Sequence, residues 1–118
     1  MTSPAPTDLF IVLTTFPDAA TARQIGTLLI EQQLAACINV LAPCESIYRW
    51  QGSVETSSEA PGIIKTTREA FPALAEVLRV SHPYEVPEII ALPVAAGSEA
   101  YLSWVGEQCA RQHPMPDQ

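Results

Sequence analysis

The spacing of apolar positions along the chain changes from one period to another several times, and each change marks the start of a new element. Residues 8–15, Asp-Leu-Phe-Ile-Val-Leu-Thr-Thr, form a continuous β-rich apolar run. Such a run predicts a central strand buried on both faces. Pro17-Asp18 then supplies a turn and a helix N-cap, after which Ala22, Ile25, Leu28 and Leu29 recur at helical spacing. This predicts a helix of about four turns that ends near Leu34 and packs on the strand.

From Ala36 to Trp50 the pattern is β-rich again, interrupted at Pro43, and Gly52 separates it from a second extended stretch, Val54 to Lys65. The two predict a long hairpin. A straight strand of 15 residues spans about 50 Å at roughly 3.3 Å per residue, whereas a domain of this size has a radius of gyration of about 13 Å and a diameter of roughly 35 Å. The hairpin should therefore overhang its own domain. The exposed arm would carry Ile47, Tyr48 and Trp50 on unpaired strand edge, a surface that proteins usually cover by pairing, so self-association is expected. A bulge at Pro43 that folds the arm back over the core is the alternative.

Thr66 and Glu69 have the spacing of a capping box, and Pro72 fits the first turn of a helix whose stripe is Leu74, Val77 and Leu78. That helix must end at or before Ser81, because His82 precedes a proline. Residues 88–94 read as a strand that Pro93 confines to a sheet edge or strand end. Residues 98–112 read as a final helix bearing Tyr101, Leu102, Trp104 and Val105. The order β-α-β-β-α-β-α matches an α+β, ferredoxin-like split β-α-β arrangement with an added C-terminal helix. One domain over residues 8–112 follows, with flexible tails at 1–7 and 113–118.

Composition narrows the function classes. A chain of 118 residues suits one domain, and its formal net charge of -7 with six scattered basic residues lacks the basic patch that nucleic acid requires. No apolar run approaches a membrane span and no secretory leader pattern opens the chain, so a soluble cytoplasmic protein without a membrane partner is expected. The three cysteines, Cys37, Cys44 and Cys109, show no CxxC spacing, and a disulfide framework is not expected.

Candidate chemistry gathers in the heptapeptide His82-Pro83-Tyr84-Glu85-Val86-Pro87-Glu88. The prolines stiffen it, and His82 can offer an imidazole nitrogen while Glu85 or Glu88 adds a carboxylate oxygen, a partial site for zinc or copper. The alternative is that His82 only hydrogen-bonds at a helix-to-strand corner. Cys109 and His113, four apart, would share a helix face and could clamp a soft metal, but Pro114 places His113 beyond the helix. Cys37 in an apolar strand reads as a buried thiol rather than a nucleophile. Lys65 is the chain's only lysine, set to pair with Glu59 or Glu88 or to reach solvent, and Tyr48 and Trp50 share a strand face as interface anchors or pocket wall. Trp104 reads as core or subunit contact.

Five stretches, Leu34-Ala-Ala-Cys-Ile-Asn39, Ser46-Ile-Tyr-Arg-Trp-Gln-Gly52, Ile64-Lys-Thr66, His82-Pro-Tyr-Glu-Val-Pro-Glu88 and Tyr101-Leu-Ser-Trp104, resemble in order and spacing the CutA family of divalent-cation tolerance proteins. The resemblance covers roughly residues 8 to 108. It implies a homotrimer of PII-like architecture whose long hairpin enters the intersubunit sheets, a role in tolerance of copper or other divalent cations, and no catalytic reaction. Some bacterial members of that family bind copper through a cysteine and two histidines, and the resemblance puts Thr14, Ser81 and His82 at those positions here. Only one of those three ligands is present, which lowers copper affinity at that site. Cys37, Tyr48, Trp50, Lys65, Tyr84, Glu88 and Trp104 are the residues expected around an intersubunit cleft. A second reading is a PII-like signalling module whose clefts bind a small anionic ligand or a partner protein.

Overall fold

The computed structural model describes residues 8–109. Five strands and three helices alternate as β1 (Leu9–Phe16), α1 (Ala19–Glu31), β2 (Cys37–Val40), β3 (Cys44–Trp50), β4 (Ser53–Thr67), α2 (Phe71–Ser81), β5 (Ile90–Pro93) and α3 (Glu99–Gln108). The sheet order is β2-β4-β1-β5, with β3 also on β4, and every pairing is antiparallel. This is the expected ferredoxin-like order, with the second strand divided into β2 and β3.

The division falls at Pro43. Val40 lies opposite Gly62, whereas Cys44 lies opposite Glu59, so residues 41–43 face only Ala60 and Pro61 on the partner strand. One extra residue is a bulge, and proline tolerates it because no ladder donor is needed there. The bulge does not fold the arm back. All of β3 except Ser46 is exposed, and the molecule extends 50 × 35 × 25 Å with a Cα radius of gyration of 15.1 Å. The overhang follows from β4, whose 15 residues outrun the core: its first half is largely exposed and its second half alternates buried and half-buried positions.

Alternation sorts the sheet into two faces. Val12, Thr14 and Phe16 of β1 and Ala60, Ile64 and Thr66 of β4 are buried toward α1 and α2, where Ile25, Leu29, Leu74 and Leu78 complete the core. The opposite face carries Ile11 and Leu13 of β1, Ile63 and Lys65 of β4, and Ile90 and Leu92 of β5, joined by direct pairings across the ladder. Helix α3 covers only one end of that face, through Leu102 and Val105 on Leu9. Ile90 and Leu92 remain 48% and 47% exposed.

The ends of the helices show where local chemistry overrode simple periodicity. Asp18 caps α1 by accepting from the Thr21 N–H at 2.7 Å. At its other end Gln33 takes φ 57°, and Leu34 and Gln33 donate back to the Leu29 and Ile30 carbonyls. This Schellman turn stops α1 at Glu31, three residues before the expected limit at Leu34, and returns Leu34 to the core beside Leu29. The expected capping role of Thr66 passes to Thr67, which accepts from the Ala70 N–H at 3.0 Å. Thr66 points inward, as strand alternation requires, and donates to the Leu34 carbonyl at 2.6 Å. The last strand is shorter than expected, Ile90–Pro93 rather than 88–94, and α3 ends at Gln108 with Cys109 as its cap. His113 and both expected tails lie outside the described residues.

Gly26 marks the closest approach of α1 to the sheet, since a Cβ there would sit 2.8 Å from Ile38 Cγ2. Alanine favours a helix over glycine by about 1 kcal/mol, but overpacking costs about 1–3 kcal/mol, and the branched Ile38 has little freedom to yield. Gly26→Ala should therefore lose about 1 kcal/mol of stability in urea unfolding at fixed chain concentration. A variant as stable as the parent would mean that Ile38 moves aside.

Candidate functional site

Extended backbone at His82 carries the chain off the end of α2 and back across the top of β1. The imidazole is 7% exposed and stacks on Phe16, with ring centroids 5.3 Å apart and an interplanar angle of 15°. Its Nδ1 accepts from the Tyr84 N–H at 3.1 Å, which leaves Nε2 to carry the proton and donate to the Thr15 carbonyl at 2.7 Å. Both ring nitrogens thus have protein partners. Glu85 and Glu88 are exposed, and among the described residues no group of three or more His, Cys, Asp or Glu side chains is placed to hold a metal ion.

The two other positions that the family resemblance assigns to copper differ in surroundings. Thr14 is 2% exposed on the helix side of β1, and its hydroxyl has no hydrogen-bond partner among the described residues. Ser81 is exposed in the last turn of α2.

Tyr84 is fixed from three sides. Besides its N–H bond to His82, its ring lies 4.6 Å from the imidazole, and its hydroxyl donates to Glu59 Oε2 at 2.7 Å. It forms one wall of an open groove of about 690 Å³ between the arm and the 83–88 loop. Ser46, Tyr48 and Trp50 alternate along β3 and so share a face, with Ser57 and Glu59 beside them on β4. Glu85, Val86 and Glu88 form the loop side. The lining holds three carboxylates and three aromatic rings, and no lysine, arginine or histidine.

The groove therefore unites Tyr48, Trp50, Tyr84, Glu85 and Glu88 of the residues expected at a cleft or metal site. Cys37, Lys65 and Trp104 do not line it. They belong to the bare sheet face and α3: Cys37 pairs with Lys65 in register, and Lys65 Nζ donates to Asn39 Oδ1. Trp104 packs on Tyr101 at 5.6 Å. Burial first, and then the neighbouring Cys37 thiol, raise the pKa of the Tyr101 phenol. Cys37 is half-buried rather than enclosed, while Cys109 is the buried thiol, its pKa raised by burial. All three cysteines are free. Glu59 entered the sequence reading only as a partner for Lys65, whereas here Lys65 bonds Asn39 and Glu59 bonds Tyr84; Ser46 and Asn39 were not singled out as site residues.

Burial and the adjacent Glu59 carboxylate both oppose the phenolate, and they hold Tyr84 well above the ordinary tyrosine pKa of 10.0. Because the folded pKa is the higher one, the resulting stability is fully present below pH 10 and is lost as pH rises toward the folded value. An ultraviolet titration of the phenols should keep its full amplitude near the ordinary pKa when Tyr84 is replaced by phenylalanine. Glu59→Gln should move the Tyr84 transition downward. Loss of one tyrosine's amplitude from the ordinary range in Tyr84→Phe would show that the phenol is not held as described.

Comparison with known proteins gives one consistent family. The sequence model of CutA1 divalent ion tolerance protein matches residues 10–108. A divalent-cation tolerance protein CutA of Thermus thermophilus is 48% identical over 97 residues, 82% of this chain and 94% of that protein. The human protein CutA is 45% identical over 91 residues, and there the match spans 77% of this chain but only 51% of the human one. Among solved structures, the Thermus thermophilus protein superposes with a TM-score of 0.83 at 47% identity, covering 85% of this chain and 97% of that one. CutA of Xylella fastidiosa gives 0.84 at 37% identity, covering 86% and 98%. With a family match across nearly all the described residues and relatives of this identity, the chain belongs to the CutA1 divalent ion tolerance family.

Proposed function

We propose that the chain acts as a non-enzymatic homotrimer in the cytoplasm that supports tolerance of divalent cations, copper among them. Family membership supports the cation-tolerance part. The observation that carries the assembly is the bare sheet face. Ile11, Leu13, Ile63, Ile90 and Leu92 form a contiguous apolar patch that no helix covers among the described residues, and on the other face of the arm Ile47 and Val54 are each 67% exposed. Such patches are covered by association, and the outer edge of β3, which has no strand partner among the described residues, offers one to a second copy. No helix among the described residues is long and apolar enough to cross a membrane.

Metal contact through His82, with Glu85 or Glu88 adding an oxygen, asks the imidazole to give up a bond to Thr15 or Tyr84. Breaking a buried hydrogen bond costs about 1–3 kcal/mol, which weakens a metal site by roughly 5- to 150-fold. The groove supports a second reading, a ligand-binding module in the manner of PII-like proteins. Its volume of about 690 Å³ falls within the range of small-molecule sites.

Sedimentation equilibrium at micromolar concentration should give three times the chain mass of 12.8 kDa, and Leu92→Glu with Ile90→Glu should reduce it. A parent protein that stays monomeric contradicts the assembly. Calorimetric titration of metal-stripped protein should give weak Cu(II) binding that is further weakened in His82→Ala. Equal binding by both proteins would remove His82 from the site. Growth of a copper-sensitive strain deprived of its own copy tests the tolerance role, with restored growth in copper as the expected result.

A further inference from the structure

Three rows of side chains cross the bare sheet face. Leu92, Ile11, Lys65 and Cys37 make the first, and Ile90, Leu13, Ile63 and Asn39 the second, each joined by direct pairing across the ladder. Thr15 and Pro61 pair in the third. Glu88 stands at the end of that row, two residues before Ile90: Ile89 and Ala91 pack on the core, which turns Glu88, Ile90 and Leu92 outward together. The apolar patch is therefore bounded by a lysine at one end and a glutamate at the other. No other basic side chain of the described residues shares this face. Arg49 is on the opposite face of the arm with Ile47, Arg68 lies over the Phe10 ring on the helix side, and Arg23 and Arg79 are on α1 and α2.

Within one chain the two charges stay apart. The first and third rows are four residues apart, about 13 Å at roughly 3.3 Å per residue, and Lys65 Nζ turns away from β5 to donate to Asn39 Oδ1 on β2. Glu59 lies six residues along β4 from Lys65, about 20 Å, and already accepts from Tyr84. Neither Lys65 nor Glu88 makes an ion pair among the described residues. Association that covers the patch encloses both of its ends as well. An enclosed charge without a countercharge opposes assembly, whereas opposite charges that meet across an interface fix its register. In a ring of three equivalent copies, the two ends of each face serve different neighbours. We propose that Lys65 of one copy docks on Glu88 of the next, so that the groove, acidic in a single chain, receives its basic group from the neighbouring subunit. The proposal rests on the assembly reading of the bare face and names the contact that sets which end of one copy meets which end of the next.

The test is sedimentation equilibrium of the full chain beside Lys65→Glu, Glu88→Lys and the two combined. Each single reversal should raise the concentration at which half of the trimer dissociates by about 30-fold or more, and the combined variant should return it to within about 3-fold of the parent. Because Lys65 is the chain's only lysine, its acylation by an amine-reactive ester, read by peptide mass mapping, gives a second measurement. Acylation should be slow in the assembled parent and faster in Glu88→Gln, a change at an exposed position. Single variants as associated as the parent would overturn the pairing and leave the assembly standing, as would a combined variant that keeps the parent's circular dichroism but associates no better than the singles. Where Lys65→Glu loses the fold, the acylation rate in Glu88→Gln decides, and a rate equal to the parent's overturns the pairing. A parent that sediments at one chain mass would overturn the assembly and the pairing together.

Discussion

Everything distinctive in this molecule depends on a strand that is too long for its core. β4 runs for 15 residues and is the common partner of β1, β2 and β3. A hydrophobic core made by two helices on a four-strand sheet can bury only its second half, where Ala60, Gly62, Ile64 and Thr66 point inward. The first half must leave the domain, and because an unpaired strand is costly it leaves as a hairpin with β3. The arm, the groove at its base and the exposed apolar edge are consequences of that one mismatch in length.

The bulge at residues 41–43 lets β4 serve two partners on one side. Without the extra residue, β2 and β3 would be a single straight strand, and its alternation would run unbroken from the core into the arm. With it, Ile38 and Val40 pack on the core while Ser46, Tyr48 and Trp50 share the groove side of the arm. The same strand edge is therefore apolar and enclosed at one end, aromatic and accessible at the other.

Much of this was legible in the sequence. The central place of β1 in the sheet follows from its unbroken apolar run, although only one of its faces is fully buried and Ile11 and Leu13 on the other are half-buried; the Asp18 cap follows from its position after Pro17, and the end of α2 from the proline after His82. The overhang could be derived from chain length alone, since 15 extended residues do not fit within a compact domain. What escaped was set by tertiary partners. Gln33 takes a left-handed turn with no glycine to announce it, so the apolar spacing alone carries the expected helix on to Leu34. Thr66 and Thr67 are equivalent to a capping rule, and only the inward face of β4 decides between them. Cys37, Lys65 and Trp104 belong to motifs that resemble the family as strongly as Tyr48 and Tyr84 do. Their separation from the groove is a matter of which end of the sheet each occupies, something order along the chain does not encode.

The histidine heptapeptide gains its role from the same strand. A Cβ on Gly62 would lie 2.9 Å from Phe16 Cε2, so the glycine is what lets the Phe16 ring settle against β4. His82 stacks on that ring, Tyr84 leans on His82, and the Tyr84 hydroxyl returns to Glu59, three residues from Gly62 on the same strand. The loop is thus closed onto β1 at one end, through a ring stack on Phe16 and a bond to the Thr15 carbonyl, and onto β4 at the other, through a hydrogen bond to the Glu59 carboxylate. Removing any member loosens the rest, because each ring is positioned by the one before it. The imidazole that looked in sequence like the start of a metal site is the middle link of this chain, and its two nitrogens are spent on holding the loop that walls the groove.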